Sequence, residues 1–301
     1  MDRRPLGMTA PEPWPLYAMP TPVDQLAAEI AELRPLPESA MRITRLTTDD
    51  RFSAQELATL IANDPAITAR LLRLANSAYY GFPRRISTVR DAVVLVGLRA
   101  VRAVVLVACM MDPAALAPYR SGADARASWR FSVSVGVIAE LLARGEGIDA
   151  EAAFTAGVLH NIGLVALEQY RPEGMRVAMR IVRSGGQTRH EAERAVFGFT
   201  DAELGGALAV RWDFPPDLAA AIGDHARSLA ELPAPGSLTA CVIRARLFAR
   251  AHAIPDGVAP SQEAVSSEDG VPAALPGAIG RAGGIAGILR RADAFVEATV
   301  G

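Results

Sequence analysis

The sequence predicts an all-α protein, and three observations carry that prediction. Half of the residues are hydrophobic but only 6% are aromatic, so the core must be built from Ala, Leu, Val and Ile, of which Ala and Leu favour helix. Apolar residues recur at spacings of three and four along most of the chain, the repeat of one helical face. No region alternates apolar and polar residues in the manner of a half-buried strand with a partner.

The elements follow in order. Residues 1–20 are proline-rich and aperiodic, and read as a flexible arm. Thr21-Pro22 starts a helix that ends at the Arg34-Pro35-Leu36-Pro37 break, and a second helix is expected over 38–47. Ser53 and Glu56 form a capping box, with Phe52 and Leu57 placed as a hydrophobic staple. Asp64-Pro65 caps the next helix, whose residues Ile67, Leu71, Leu74 and Ala78 share one face. Two apolar stretches, 88–96 and 98–111, flank Gly97; Val93–Val96 alone could be a buried strand, but no partner strand exists for it. Trp129, Val133, Val137 and Leu141 stack at spacing four, and a helix is expected over 150–169. Thr200 and Glu203 repeat the capping box, with Phe199 and Leu204 as a second staple. Pro215-Pro216 opens a helix ending near His225, and 238–252 is the last core helix. Residues 255–284, rich in Pro, Gly, Ala and Ser, read as a linker before a short helix near 285–296.

Composition excludes several function classes. All 31 basic residues are arginine, so Schiff-base, P-loop-lysine and kinase-lysine chemistry are absent. A net charge of −2 and a pI near 6.1 give no global attraction to DNA or to anionic membranes. Cys109 and Cys241 sit in separate apolar stretches and read as buried thiols rather than a disulfide framework. The first residues lack the apolar core of a signal peptide, and the longest apolar run, Ala103 to Met111, is short of a bilayer span. A cytoplasmic protein without membrane insertion is expected.

Two segments carry a resemblance. The first runs Ala62-Asn63-Asp64-Pro65, through the leucine-rich helix, to Ala75-Asn76-Ser77-Ala78-Tyr79-Tyr80-Gly81, and continues in Ile86-Ser87-Thr88 and Asp91–Leu98. The second is Ala156-Gly157-Val158-Leu159-His160-Asn161-Ile162-Gly163, followed by Phe197-Gly198-Phe199, Glu203-Leu204-Gly205, Trp212, Pro215 and His225. Together they resemble the HD-related output domain, HDOD, over about residues 23–252. The resemblance implies an N-terminal helical bundle, over about 21–120, packed on an HD-like helical bundle over about 121–252. Residues 253–301 would form a tail.

The HD enzymes that HDOD resembles hold divalent metals with a histidine, a His-Asp pair and a later aspartate, because imidazole and carboxylate ligands activate metal-bound water. Carried over residue by residue, the first histidine falls at Phe131 or Ser132. His160 matches the histidine of the pair, and Asn161 replaces its aspartate. The late aspartate falls within Ile243–Arg246, at Arg246. Leu164 stands where active relatives often carry lysine, and Asp201 where an auxiliary histidine is expected. One matching ligand of four supplies little of the free energy a metal site needs. The resemblance therefore implies a vestigial pocket of His160, Asn161 and His225, with no catalytic residue, metal or cofactor. His160 equally reads as a buried histidine hydrogen-bonded in the core, and His225 as a helix C-terminal histidine interacting with the helix dipole. His190 and His252 read as surface residues.

Arg84, Arg85, Arg90, Arg99 and Arg102 form the remaining constellation. They read either as solvated arginines or as a surface for anions and acidic partners, which guanidinium groups bind in bidentate fashion. The expected function is a non-catalytic bacterial signal-transduction module that binds regulatory proteins, such as two-component or cyclic-di-GMP turnover proteins. A divergent metal-dependent phosphohydrolase and a binder of a nucleotide second messenger are the rival readings.

Overall fold

The computed structural model describes residues 22–33, 54–62, 64–77, 79–97, 101, 124–231, 236–257 and 275–300, and every regular element among them is helical. The N-terminal part comprises α1 (Val23–Leu33), α2 (Ala54–Ala62), α3 (Pro65–Ala75) and α4 (Val89–Val96). Val93–Val96 is thus helix, not strand. Asp64 Oδ1 accepts from Ile67 N at the start of α3, and Thr88 Oγ1 accepts from Asp91 N at the start of α4. Ile67, Leu71 and Leu74 are buried on one face of α3, as their spacing requires. The Asn76 side-chain amide then bridges to Ile86, donating to its carbonyl at 2.7 Å and accepting from its N–H at 2.8 Å. That pair of bonds folds the 77–85 turn back on α3. Tyr79 anchors the turn against Phe154 and Phe295, beneath the Arg291 guanidinium. The expected helix at 38–47, that at 98–111 apart from the helical, buried Val101, the Ser53 cap and Cys109 lie outside the described residues.

The second part is organised on one long buried helix, α5 (Ala125–Glu146), which is capped by Asp124 and ends in left-handed Gly147. Against it pack α6 (Ala150–Leu159), α12 (Leu238–Ala251) and α14 (Gly284–Val300). Gly136 and Gly157 let α5 and α6 cross closely: a Cβ on Gly157 would lie 2.6 Å from the Gly136 Cα. The remaining elements are α7 (Ile162–Tyr170), α8 (Pro172–Ser184), α9 (Arg189–Phe197), α10 (Asp201–Arg211), α11 (Pro216–Gly223) and α13 (Leu275–Arg281). The Thr200–Glu203 capping box forms as expected at α10, with Glu203 accepting from Thr200 N at 2.7 Å.

Three expectations are corrected. The helix expected over 150–169 is two helices, α6 and α7, broken at His160–Asn161. The break turns α7 onto α10, where the chains touch: a Cβ on Gly163 would meet the Asp201 carbonyl at 1.9 Å. The stretch Ala150–Tyr170 is apolar and long enough to cross a bilayer, yet 78% of its most apolar window is buried inside the protein. The linker expected through 284 already contains α13 from Leu275, because Leu275 and Ile279 find buried seats in an otherwise small-residue sequence. The C-terminal helix is longer than expected and lies on α5 and α3, burying Ile288, Phe295 and Val296.

Leu71 and Leu74 are fully buried, so Leu71→Ala or Leu74→Ala should each cost about 2–5 kcal/mol. Urea denaturation followed by circular dichroism measures this; unchanged midpoints would mean that the α3 face is not core.

Candidate functional site

The helix break at 160–161 lies in a buried polar cluster, called the chamber below. His160 closes α6 with its Nδ1 2.6 Å from the Gly157 carbonyl, and His225, just beyond α11, places its Nδ1 2.8 Å from the Ile222 carbonyl. A carbonyl can only accept, so both Nδ1 atoms carry the proton and both Nε2 atoms present a bare lone pair. Both residues are wholly buried, their rings meet edge to face at 4.9 Å, and neither Nε2 has a hydrogen-bond partner among the described residues. Phe131 packs near His160 at 6.1 Å between ring centroids, and Ser132 Oγ accepts from the Asn161 side-chain amide at 3.2 Å. His160 and His225 lie against one another, and Asn161 reaches Ser132, which with Phe131 occupies the positions expected for the first histidine.

Sequence reasoning missed the charged wall of this chamber. Helix α9 begins Arg189-His190 behind a Thr188–Glu191 capping box and carries Glu193 one turn on. Arg189 Nη1 lies 2.8 Å from Glu193 Oε1 and 2.9 Å from Asp201 Oδ1, with all three side chains essentially inaccessible. Glu193 Oε2 accepts from Asp201 N, which fastens α9 to the start of α10. His190, expected on the surface, is 13% exposed, with Nε2 3.2 Å from Asp201 Oδ1 and its ring 6.1 Å from that of His225. The local signal was present: Thr-x-x-Glu at 188–191 and Arg-x-x-x-Glu at 189–193 announce a capped helix with an i,i+4 ion pair. Its burial was not legible. His252 is exposed, as expected, and stacks on Phe248.

The fourth wall is α12. Arg244 turns outward into a bidentate pair with Glu146 at 2.5 and 2.6 Å. Arg246 turns inward, is 4% exposed, and sits with Nη1 3.5 Å from the His225 carbonyl. A guanidinium is thus buried where the resemblance places a metal-binding carboxylate.

Electrostatics follow from burial. Burial depresses His160 to about 3, only partly offset by the bond to Gly157, and depresses His190 to about 4, with Arg189 adding to the effect. His225 is held well below the usual imidazole range by burial and by His160. Burial alone would raise Asp201, but Arg189 and the His190 hydrogen bond outweigh it and keep the carboxyl well below its ordinary range. Glu193 goes the other way: burial, beside the Asp201 charge, pushes it well above the usual carboxylate range. Arg246 is lowered to about 10 by burial and by Arg189.

Whether this donor set suits a divalent metal is decided by its charges. His190, Asp201 and His225 can bring ligand atoms within 4.8 Å of one another. The only carboxylate among them already holds the Arg189 guanidinium, and the Arg246 guanidinium depresses all three imidazoles. Two fixed cations beside three ligands oppose a third cation, so the chamber as built does not fit a metal.

Arg84, Arg85 and Arg90 are exposed, as expected of a surface. On α4 beside them, Val94 is 62% and Leu95 51% exposed, while Ala92, Val93 and Val96 are buried. Arg99 and Arg102 lie outside the described residues.

The three depressed imidazoles fix the direction of pH dependence. They stay neutral in the folded chain but protonate near 6.5 when unfolded, so they destabilise the fold as pH falls below about 6.5. Each contributes a slope on the order of 1 kcal/mol per pH unit. Glu193, held protonated, opposes them with one proton, its stabilisation being lost as pH rises above 4.5. Three protons outweigh one, so urea midpoints should be lower at pH 5.5 than at pH 7. A flat profile over that range would contradict neutral, buried imidazoles.

The geometry can be set beside known proteins. The HDOD domain family model matches residues 33–228, more than half of the chain. A protein from Treponema pallidum (strain Nichols), described as uncharacterised, is 29% identical over 212 residues; the match takes in 68% of this chain and 40% of that relative's length. Among solved structures, an HDOD domain protein of unknown function from Geobacter sulfurreducens superimposes with a TM-score of 0.73 at 23% identity, covering 91% of this chain and 97% of that one. A candidate signal transduction protein from Marinobacter aquaeolei VT8 gives 0.67 at 23% identity, over 90% and 60% of the two chains. A candidate phosphohydrolase from Shewanella amazonensis SB2B gives 0.62 at 24% identity, over 91% and 95%. At these identities the structural likenesses establish the all-helical fold, and with the family match over 33–228 the chain belongs to the HDOD domain family.

Proposed function

We propose that this chain is a non-catalytic signal-transduction module that acts by binding partner proteins. One observation carries the reading: the chamber that would hold a hydrolytic metal is closed around its own guanidinium groups, Arg189 and Arg246. The chamber is also poorly equipped for metal-free acid–base chemistry. An imidazole lowered to about 3 is a weak base at neutral pH, far from the match to working pH that efficient proton transfer needs. Partner binding then falls to the surface. The exposed arginines Arg84, Arg85 and Arg90 and the exposed apolar Val94 and Leu95 of α4 would suit a partner with carboxylate or phosphate groups and an apolar side chain. Regulatory proteins of cytoplasmic two-component or cyclic-di-GMP turnover systems are the partner class proposed. The signal-transduction description of the Marinobacter aquaeolei VT8 neighbour is in keeping with this.

A second reading, a divergent metal-dependent phosphohydrolase, rests on the His190, Asp201 and His225 cluster and on the description of the Shewanella amazonensis SB2B neighbour. Elemental analysis separates the two. The proposed reading expects well under one equivalent of iron, manganese, zinc or magnesium in dialysed protein; a stoichiometric metal favours the phosphohydrolase.

Affinity capture from the native cell identifies the partner, and variants then locate its site. Arg84→Glu with Arg85→Glu should weaken binding on the order of tenfold or more without lowering thermal stability. His160→Ala should lower stability and leave binding by the folded fraction unchanged. Normal binding by the arginine variant, with loss in a well-folded His160→Ala protein, would assign the work to the chamber instead.

A further inference from the structure

At the C-terminal end of α5, beyond the chamber residues Phe131 and Ser132, a groove of about 440 Å³ opens between α5 and α13. Leu141, Leu142, Leu275, Ala278 and Ala282 give it an apolar lining, and Arg144 and Arg281 stand on its wall. The charges on that wall are not equivalent. Arg144 is paired with Glu140 at 2.7 Å, and Glu146, the acidic residue of the wall, is held bidentately by Arg244. Arg281 is exposed and makes no hydrogen bond or ion pair among the described residues. The groove thus offers one uncompensated guanidinium beside apolar side chains, which is complementary to an anionic group carried on an alkyl chain. Volume decides the size of the occupant. The groove lies within the range of about 300–1,000 Å³ typical of small-molecule sites, whereas a protein partner would need a face of roughly 800 Å².

We propose that this groove binds a small anionic amphiphile, a medium-length alkyl chain with a carboxylate or phosphate head. The alkyl chain lies along Leu141, Leu142 and Leu275, and the head pairs with Arg281. A ligand seated there touches α5 and α13 together, so its binding holds α13 to the helical bundle. The groove shares no residue with the chamber or with the Arg84 and Arg85 surface, so its occupancy is independent of any partner bound there.

Isothermal titration of the full chain with hexanoate, octanoate, decanoate and decyl phosphate, each below its micelle concentration, tests this. Binding should saturate at one ligand per chain and tighten about fourfold for each methylene buried from hexanoate to decanoate. Octylammonium, of opposite charge, should not bind. Arg281→Glu should weaken decanoate and decyl phosphate at least tenfold and leave the ligand-free thermal midpoint unchanged, because the side chain is exposed and unpaired. Gly145→Phe should abolish binding by filling the groove: Gly145 is helical, lines the groove, and a Cβ on it would meet nothing within 4 Å. Either head binding in this way supports the site, and the tighter of the two names the ligand class. The proposal is overturned if neither decanoate nor decyl phosphate binds, if binding survives either variant unchanged, or if octylammonium binds as tightly as octanoate.

Discussion

The buried Arg189–Asp201 ion pair, with the Glu193 carboxyl bonded to Arg189 and to the Asp201 N–H, is the interaction on which the rest of the site depends. Removing Arg189 and Asp201 from water costs several kcal/mol per ion unless they are matched, and here they lie 2.9 Å apart. The same residues do backbone work. Glu193 accepts from Asp201 N and ties α9 to α10, while the Asp201 carbonyl packs on Gly163 and sets how closely α7 can approach. Asp201 also holds His190, whose ring stands beside that of His225. Loss of one partner would leave a buried charge unmatched, which is far more damaging than replacing the set by apolar residues of similar shape.

Around that pair, Arg246 lies in the field of Asp201 and Asp256, and Arg250 sits 3.1 Å from Asp256. Neutral imidazoles fill the space between them. Outside this cluster, the Asn76 bridge to Ile86 ties down the turn that carries the exposed Arg84 and Arg85.

Local rules made much of the fold legible. The α10 capping box, the Asp64-Pro65 start of α3 and its Ile67, Leu71, Leu74 face depend on contacts within a turn or two, which sequence records directly. The break at His160–Asn161 was hidden because no proline stands there and Gly157 and Gly163 fit equally well within a packed helix. Its cause is tertiary, the seating of Gly163 on Asp201 nearly forty residues away. The chamber was half legible. His160, Asn161, His225 and Arg246 stood out through motif resemblance, and the burial of Arg246 came from the fold. Arg189, His190 and Glu193 did not, because Arg-His-Glu-Ala-Glu-Arg has the composition of a solvated helix, and only the fold pairs its charges away from water.

The central claim, that the chamber holds neutral imidazoles beside fixed guanidinium cations and no metal, is tested most directly by imidazole ¹H–¹⁵N correlation spectra of the unmodified chain at pH 7, with and without one equivalent of Zn²⁺. The account predicts that His160 and His225 are both neutral, protonated at Nδ1, and that their Nε2 resonances do not move when zinc is added. A cationic imidazole at either residue, or a zinc-induced shift of the His225 Nε2 signal, would contradict it.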